Sequence, residues 1–348
     1  MPYSIRLTDV EDARDQLLPI WTQNLPIRGE VDAKLRWFYV DGPHGPGHAF
    51  VIHPELDRAP IGSAGVGVRT LRFHDRPIRA ALFADLAIER PHRSGLPALA
   101  LVRAVRHHVT ESFDVGYGFP NAKAAAVYRR GGYRQLGEMK RYVRVLRSGT
   151  YLERRLRVPY LGRAAGAVAD RVLVAAARAR SWRRPGVELT WQDGFDRRFD
   201  RLWEEGRRLA PILCERSSAF LTWRFAHHPG HDYRIAALTD RGTRQLRAYA
   251  VVRDAGPVAE LADLFGAGKH ELDSLLVRLL PALYDLGYRS VGFRFLGSPQ
   301  VPALLGKHGF ALRGGSRMVA LAIGQRMAHE LALADPGSWY LTDLDEDS

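Results

Sequence analysis

The sequence predicts a mixed α/β fold built from two similar halves, and three observations lead to this prediction. Strand-like and helix-like segments follow one another throughout the chain. Their order after residue 187 matches their order before residue 150. Two short similarities fall at nearly the same spacing: residues 83–86 (FADL) resemble 261–264 (LADL), 178 positions later, and 132–133 (GY) resemble 309–310 (GF), 177 positions later.

Each half consists of predicted strands joined by helices. In residues 1–150 we expect strands at 3–8, 48–53, 61–73, 78–89 and 115–119, helices at 9–25, 31–41, 97–113 and 121–130, and one or two closing strands at 134–147. In residues 187–326 we expect strands at 187–192, 232–240, 245–253, 258–265, 290–297 and 316–324, and helices at 195–209, 219–230, 271–287 and 302–310. The prediction is therefore two tandem domains, at 1–150 and 187–326, with a connector at 151–186 and a C-terminal tail at 327–348.

The composition fits a globular protein with an unusual arginine content. The 348 residues are 46% hydrophobic and 10% aromatic, which excludes general disorder. The net charge is +13, but only five of the 51 basic residues are lysine. This bias is typical of a GC-rich genome and favours a bacterial source. The charge is thus weak evidence for a nucleic-acid partner, although it favours anionic ligands such as cofactor phosphates.

Several features predict a cytoplasmic protein. The single cysteine, Cys214, provides no disulfide framework. The N-terminus becomes acidic and polar too early for a signal peptide, and no stretch approaches the ~18 apolar residues of a membrane span. His227, His228 and His231 lack a carboxylate or cysteine to complete a metal site, so we expect no metal.

The connector and the tail each leave two alternatives. Residues 151–186 contain nine arginines and two acids, with an apolar stripe at helical spacing: Leu161, Ala165, Val168, Val172 and Ala175. Such a helix lies on an anionic membrane or docks on a domain as a connector, and its lack of bulky anchors favours the connector. The final residues, WYLTDLDEDS, are either loose or docked by Trp339 and Tyr340 with the acids against a basic surface.

The strand at 78–89 has a carboxylate near its middle. Asp85, Ala87 and Glu89 share one face of this strand. A buried mid-strand carboxylate needs a partner, so Asp85 has either a structural hydrogen bond or a chemical role. The strand leads through a turn at 93–98 into a long helix, whose N-terminal N–H groups and dipole suit a phosphate.

The helix at 121–130 has an unusual face. Asn121 is a good N-cap, and two turns of helix bring it into line with Tyr128 across small alanines. A strand, a basic glycine-containing turn, a long helix, a short strand and the motif N-x-x-A-x-x-x-Y-x-x-x-G-[FY] together resemble the GNAT acyltransferase superfamily. Five positions fit this motif at every spacing: Asn121, Ala124, Tyr128, Gly132 and Tyr133.

The resemblance implies how acyl-CoA is held. In this family the sheet opens between its fourth and fifth strands, the pantetheine arm lies in the opening, and the pyrophosphate lies on the turn before the long helix. The expected cofactor-binding residues are Leu86, Ala87 and Ile88 through their backbone, Arg93, Ser94, Gly95, Leu96 and Ala98 in the turn, and Asn121 and Ala124 on the helix. The glycine of the turn lies one place earlier than in the usual family pattern.

The resemblance also implies catalytic roles. Tyr128 is expected to protonate the departing thiolate, since its unperturbed pKa of ~10 suits that acid. Asp85 or Glu89 is expected to take a proton from the attacking amine, with a structural hydrogen bond or a solvated rim charge as the alternative. In the second half the positions equivalent to Asn121 and Tyr128 are Ser298 and Leu305, so we interpret this half as a degenerate copy. CoA binding at its glycine-rich turn, residues 266–269, stays open as an alternative.

The sequence therefore predicts transfer of an acetyl or other acyl group from acyl-CoA to a small-molecule amine. Two alternatives remain, an aminoacyl-tRNA-dependent transferase of the same fold and a non-catalytic binding protein with two such domains. The identity of the amine is not encoded in any motif found here.

Overall fold

The computed structural model describes residues 3–54, 59–148 and 185–347, and the helical residues 168, 170–172, 174–176 and 178–179. Most of the predicted connector therefore lies outside the described residues, as does the apolar stripe on which the alternative of membrane contact was based, apart from a few positions. Where the connector is described, Asp170 is buried and accepts a hydrogen bond from the Ser148 hydroxyl at 2.7 Å. Val168 and Val172 of the predicted apolar stripe are exposed. No helix among the described residues has the length and apolarity needed to cross a membrane.

The first half, defined here as residues 3–148, follows the predicted order of elements. Its strands are β1 (Ser4–Asp9), β2 (His48–His53), β3 (Gly62–Phe73), β4 (Arg76–Ile88), β5 (Val115–Gly118) and β6 (Arg134–Val145). Its α-helices are α1 (Arg14–Asn24), α2 (Val31–Leu35), α3 (Leu96–Ser112) and α4 (Ala122–Arg130). A π-helical turn, Arg36–Val40, continues α2, and a 3₁₀ turn, Arg90–His92, precedes α3.

The second half, residues 185–324, repeats this order with one additional short strand, β8. Its strands are β7 (Val187–Gln192), β8 (Ile212–Cys214), β9 (Tyr233–Asp240), β10 (Leu246–Ala255), β11 (Val258–Gly266), β12 (Ser290–Gly297) and β13 (Ala311–Ile323). Its α-helices are α5 (Arg197–Gly206), α6 (Ser218–Leu221), α7 (Lys269–Asp285) and α8 (Gln300–Lys307), and a π-helical turn, Thr222–Ala226, continues α6. The C-terminal segment, residues 325–347, contains 3₁₀ turns and the short strand β14 (Trp339–Leu341). The predicted mixed α/β fold is confirmed.

One sheet runs through both halves. Its strand order is β1-β2-β3-β4-β5-β13-β6-β12-β11-β10-β9-β7, and β14 pairs with β12 and β8. The pairs β4–β5, β11–β12 and β14–β8 are parallel, and the other pairs of the described sheet are antiparallel. A parallel pair needs a crossover connection, which α3 supplies for β4–β5 and α7 for β11–β12. The two parallel crossover pairs thus occupy equivalent positions in the two halves.

The closing strands of the two halves are exchanged. β13 of the second half pairs with β5 of the first, from Ala320 opposite Gly118 to Ile323 opposite Val115. β6 of the first half pairs with β12 of the second, and β6 and β13 pair with each other at the centre. The segment predicted as one or two closing strands at 134–147 is therefore one strand that completes the other half.

The two π-helical turns meet between the halves. The indole N–H of Trp37 donates to the Trp223 carbonyl at 2.8 Å, and the indole N–H of Trp223 donates to the Trp37 carbonyl at 2.7 Å. The two rings stack with centroids 5.0 Å apart. The guanidinium of Arg69 lies 4.8 Å from the ring centres of both Phe38 and Trp223. These reciprocal contacts give the interface an approximate two-fold character.

The C-terminal segment is docked, which decides between the two alternatives for the tail. Trp339 and Tyr340 are fully buried, as are Leu341 and Leu344. The acids that follow meet arginines: Asp343 pairs with Arg294 at 3.0 Å, and Glu346 pairs with Arg317. The tail is thus an integral part of the protein interior.

The strand exchange leads to a prediction about fragments. Residues 1–150 alone lack β13, so the β5 edge and the apolar face around it lose their cover. We expect this fragment to show no cooperative thermal unfolding by circular dichroism and to elute as an aggregate. Co-expression with residues 151–348 should restore a folded complex that co-purifies. A monomeric 1–150 fragment with a cooperative transition would contradict the role given to the exchange.

Candidate functional site

The site begins at a bulge in β4. Pairing with β3 shifts between Ser63 and Gly65, so that Asp85 and Leu86 both oppose Ala64. Asp85 adopts the left-handed conformation with φ +50°, which is uncommon for a residue other than glycine. This conformation is held by side-chain contacts and turns the carboxylate out of the regular strand pattern.

The Asp85 carboxylate has two donors. Lys34 Nζ donates at 2.5 Å and the Tyr39 hydroxyl at 2.7 Å. Burial lowers the pKa of Lys34, but the charges of Asp85 and Asp347 outweigh this effect, and the pKa lies above its usual value. Burial and the neighbouring Asp85 charge raise the pKa of Tyr39 well above that of a free phenol. The cluster is therefore a carboxylate held by an ammonium and a neutral phenol.

Two glycines allow Tyr39 to reach Asp85. A Cβ at Gly65 would lie 1.9 Å from the Tyr39 hydroxyl oxygen, and a Cβ at Gly47 would lie 2.5 Å from Tyr39 Cδ1. Both positions therefore exclude side chains for a steric reason. The Tyr39 side chain therefore packs directly against the backbone of Gly47 and Gly65 and reaches Asp85.

Next to this cluster the sheet opens. The parallel pairing of β4 with β5 ends at Phe83 opposite Gly118, whereas β4 continues to Ile88. Beyond that point lies a cavity of about 520 Å³, and the first-half residues around the opening include Asp85, Leu86, Asn121, Ala124 and Tyr128. Five of the residues singled out in the sequence thus come together on one cavity.

The two polar residues of α4 have different surroundings. The Asn121 side-chain oxygen accepts from the N–H groups of Lys123 and Ala124 at 3.0 Å, so it caps α4 and leaves its amide N–H₂ free to donate. Tyr128 is buried, with its ring 4.9 Å from that of Tyr133. Burial, then the charges of Asp347 and Asp85, raise the pKa of Tyr128 well above its usual value. Tyr128 is therefore a protonated donor at the cavity wall.

The turn before α3 lies outside the cavity. Gly95 is the N-cap of α3 with φ +87°, a conformation that favours glycine and accounts for its position one place early. The Arg93 side chain donates to the Ile88 carbonyl at 2.9 Å and to the Asn24 side chain at 2.8 Å, which fixes the turn to β4 and α1. The N–H groups of Leu96 and Ala98 lie in the first turn of α3, where helical N–H groups have no acceptor within the helix.

The remaining predicted residues lie apart from the cavity. Ala87 and Ile88 are buried and pair with Ser63 and Gly62 of β3. Ser94 belongs to the turn, where its N–H donates to the His92 carbonyl at 2.8 Å. Glu89 follows the end of β4 and is not among the residues that line the cavity. The structure thus separates Asp85 and Tyr128 from Glu89.

The equivalent opening in the second half is filled by the protein itself. Pairing of β11 with β12 ends at Leu261 opposite Phe293, and β14 then pairs with the end of β12. The Tyr340 hydroxyl donates to the Leu264 carbonyl of β11, so β14 spans the gap. A Cβ at Gly297 would lie 2.2 Å from the Trp339 carbonyl oxygen, which shows how closely the strand is packed.

The aspartate of the second half is fully enclosed. Asp263 accepts from Arg216 Nε at 3.0 Å and Nη2 at 3.1 Å, from the Tyr249 hydroxyl at 2.7 Å and from the Thr342 hydroxyl at 2.9 Å. Glu271 in the first turn of α7 pairs with Arg247 at 3.2 Å, which places a negative charge where a phosphate would have to approach. The gap that is open in the first half is thus occupied by the chain itself in the second.

The C-terminal segment supplies acids to the first cavity. Asp343, Glu346 and Asp347 line it, and Asp347 lies 3.9 Å from Lys34. Burial, then the charge of Asp343, raise the pKa of Glu346 from 4.5 to about 7. One Glu346 oxygen has no hydrogen-bond partner among the described residues. The cavity thus contains a buried carboxylate that titrates near neutral pH.

Comparison with known proteins finds similarity in structure rather than in sequence. No protein-family model and no curated protein matches the chain. A conserved protein of unknown function from Enterococcus faecalis V583, described as a probable N-acyltransferase, aligns with a TM-score of 0.64 at 12% identity, covering 92% of this chain and 72% of its own. The fold is that of the GCN5-related N-acetyltransferases, the GNAT fold.

Two further solved structures support this assignment of the GNAT fold. A GCN5-related N-acetyltransferase from Anabaena variabilis covers 91% of this chain and 72% of its own, with a TM-score of 0.64 and 12% identity. Another from Kribbella flavida covers 92% and 72%, with a TM-score of 0.60 and 14% identity. The resemblance found in the 121–133 motif is confirmed at the level of the fold.

Sequence reasoning missed several residues of the cavity in this GNAT fold. Lys34 lines the cavity and comes from α2. Tyr39, in the π-helical turn, is not among the lining residues but binds Asp85, and neither position carried a motif. His228 and His231 were considered only as metal ligands, whereas they line the cavity; no cluster of three metal-binding side chains occurs in the described part of the chain. The sequence showed the acidic residues of the tail, but their position at the cavity depends on contacts with residues far away in the chain.

The raised pKa of Glu346 predicts a pH dependence of stability. Between pH 4.5 and about 7 the unfolded state loses this proton before the folded state does, so the free energy of unfolding falls as pH rises. One such group contributes a slope of at most about 1.4 kcal/mol per pH unit. Urea unfolding at pH 5 to 8 should show a shallower fall for Glu346→Gln than for the wild type, while Glu138→Gln, an exposed control, should follow the wild type. Parallel curves for all three proteins would show that Glu346 ionises normally.

Proposed function

We propose that this protein transfers an acyl group, with acetyl as the simplest case, from acyl-CoA to an amine in the first-half cavity. The observation that carries the proposal is the opening between β4 and β5, which has a protonated Tyr128 on one side and the Asp85 bulge on the other. The names of the structural neighbours, which include N-acetyltransferases, agree with this reaction type.

The first half offers parts suited to each portion of acyl-CoA. The edge of β4 beyond its pairing with β5, at Leu86, Ala87 and Ile88, offers backbone groups for the amides of pantetheine, apart from the Ile88 carbonyl, which accepts from Arg93. The turn of Arg93, Ser94, Gly95, Leu96 and Ala98 has free helix N–H groups and a positive dipole end for the pyrophosphate. The amide N–H₂ of Asn121 is available to donate a hydrogen bond to the cofactor. The small side chain of Ala124 leaves space along the cavity wall between Asn121 and Tyr128.

The proposed chemistry is the attack of a neutral amine on the thioester carbonyl. A carbon–nitrogen bond forms, the carbon–sulfur bond breaks, and the leaving thiolate takes the Tyr128 proton. Glu346 is the carboxylate best suited to remove the ammonium proton beforehand, because its pKa lies near 7 and one of its oxygens is unpartnered. The nitrogen that has attacked carries an extra proton, and its transfer to the Tyr128 phenolate gives the neutral amide and restores Tyr128.

Asp85 is assigned a positioning role in this proposal. Both of its oxygens accept hydrogen bonds, from Lys34 and Tyr39, so both are already engaged within the cluster. Asp85 instead holds the β4 bulge and the Lys34 ammonium in place beside the cavity. Glu89 has no part in the proposed reaction, since it does not line the cavity.

Replacement of Tyr128 tests this function. Thiol release from acetyl-CoA is followed with a panel of amines, and acetyl-CoA binding is followed by calorimetry. We expect Tyr128→Phe to lower kcat by roughly 100-fold or more, because the thiolate loses its proton donor, and to change the Kd of acetyl-CoA by less than about threefold.

Tyr142→Phe is the matched control, because Tyr142 lies on β6 away from the cavity. It should retain wild-type turnover. Unchanged turnover in Tyr128→Phe would remove Tyr128 from the mechanism. An absence of both acetyl-CoA binding and thiol release in the wild type would refute the proposed function itself, and binding of charged tRNA instead would favour an aminoacyl-tRNA-dependent reaction.

A further inference from the structure

The cavity has a charge imbalance at the end formed by the second half. Four carboxylates line the cavity, and each lies within 4.0 Å of a cation: Asp85 and Asp347 near Lys34, Asp343 near Arg294, and Glu346 near Arg317. Two further cations, Arg28 and Arg253, also line it. Among the described residues neither of them has a carboxylate within that distance.

Arg253 is held by a neutral histidine rather than by an acid. One of its terminal nitrogens lies 3.3 Å from Nε2 of His231. Burial, then the charges of Arg253 and Arg28, lower the pKa of His231 to about 4, so the ring is neutral near pH 7. Because a guanidinium can only donate, Nε2 accepts and the ring proton is on Nδ1. The contact orients the guanidinium without supplying a negative charge, and the Arg253 charge acts on Asp343 only from beyond ion-pair distance.

His228 lies beside this pair. Its Nδ1 accepts from the Gly230 N–H at 3.0 Å, so its Nε2 carries the proton, and Nε2 has no acceptor among the described residues. Burial, then the charges around it beginning with Arg224, lower the pKa of His228 to about 2. Both histidines are thus kept neutral chiefly by burial, and the surrounding arginine charges add to this effect.

Arg28 reaches the same end through a tight contact between the halves. A Cβ at Gly230 would lie 3.0 Å from the Arg28 carbonyl oxygen, and a Cβ at Gly29 would lie 3.3 Å from that of Pro229. These two glycines let the loop after α1 pack directly on the loop before β9. Arg28 from the first half and Arg253 from the second therefore border one cavity.

From this arrangement we infer that the acceptor amine also carries an anionic group, a carboxylate or a phosphate, which Arg253 and Arg28 bind while the amine faces Glu346 and Tyr128. The inference rests on the proposed function and specifies its substrate class. Arg253 acts as a specificity residue that binds the acceptor and has no part in proton transfer.

Pairs of amines that differ only in the anionic group test the inference. Lysine is compared with 1,5-diaminopentane, phenylalanine with 2-phenylethylamine, and phosphoethanolamine with ethanolamine, so that the first two pairs report on a carboxylate and the third on a phosphate. We expect kcat/KM of the wild type to be at least about tenfold higher for the anionic member of one class. Arg253→Gln should remove most of that preference through KM, without changing the KM of acetyl-CoA.

Two variants control for charge and folding. Arg253→Lys keeps the charge and should retain part of the preference. Arg234→Gln, on the neighbouring strand β9 and away from the cavity, should behave like the wild type. Equal kcat/KM within every pair, or a preference that survives in Arg253→Gln, would overturn the inference.

A binding measurement separates this inference from the proposed function. The rise in melting temperature caused by each amine in the presence of CoA reports binding without turnover. A larger rise with the anionic member, lost in Arg253→Gln, supports the anion subsite even if no acyl transfer occurs, in which case only the proposed reaction fails. Equal shifts within every pair would refute the subsite while leaving acyl transfer open.

Discussion

The exchange of β6 and β13 is the constraint on which the rest of the structure depends. Each strand completes the sheet of the half to which it is not connected in sequence, so twelve strands form one path through the protein. The same exchange brings the π-helical turns together, where Trp37 and Trp223 donate to each other's carbonyls. The first-half cavity then acquires a wall from the second half, which includes His231 and Arg253. A cavity of this composition cannot form in either half alone.

Two similar halves have become different through one short segment. In the second half β14 fills the gap beyond the parallel pair, and Asp263 is surrounded by Arg216, Tyr249 and Thr342. In the first half the equivalent gap stays open, and Asp85 accepts from two donors among the described residues, Lys34 and Tyr39. The residues that follow β14 continue into the open cavity as its acidic wall. The C-terminal segment thus fills the gap in the second half and supplies acidic residues to the cavity of the first half.

The sequence was sufficient for features that depend on local pattern. The order of elements, the cap at Asn121 and the shared face of Asn121 and Tyr128 follow from helix and strand periodicity and from capping chemistry. The burial of Asp85 in a strand predicted that it needs a partner, but Lys34 and Tyr39 lie 51 and 46 positions away, and no local rule identifies them. The bulge that opens the sheet depends on pairing with β3.

Features that depend on docking between distant segments were not predictable. The sequence pattern identifies β6 and β13 as strands, but it does not specify which strands they pair with in the sheet. Docking of the tail was one of two alternatives, but the partners of its acids, Arg294 and Arg317, are not indicated by the sequence. Burial raises the carboxyl pKa values of Asp343 and Glu346 although these arginines oppose the effect. The displaced glycine of the turn at 93–98 is explained by the left-handed N-cap at Gly95, a property of the backbone that one sequence does not reveal.

The central claim is that the protein has one acyl-CoA site, in the first half, because its own C-terminal strand occupies the second. Calorimetric titration with acetyl-CoA tests this most directly when the wild type is compared with Ala124→Trp, which fills the opening beside Tyr128. The account predicts one molecule bound per chain in the wild type and none in Ala124→Trp. Two molecules per chain, or undiminished binding to a folded Ala124→Trp variant, would contradict it.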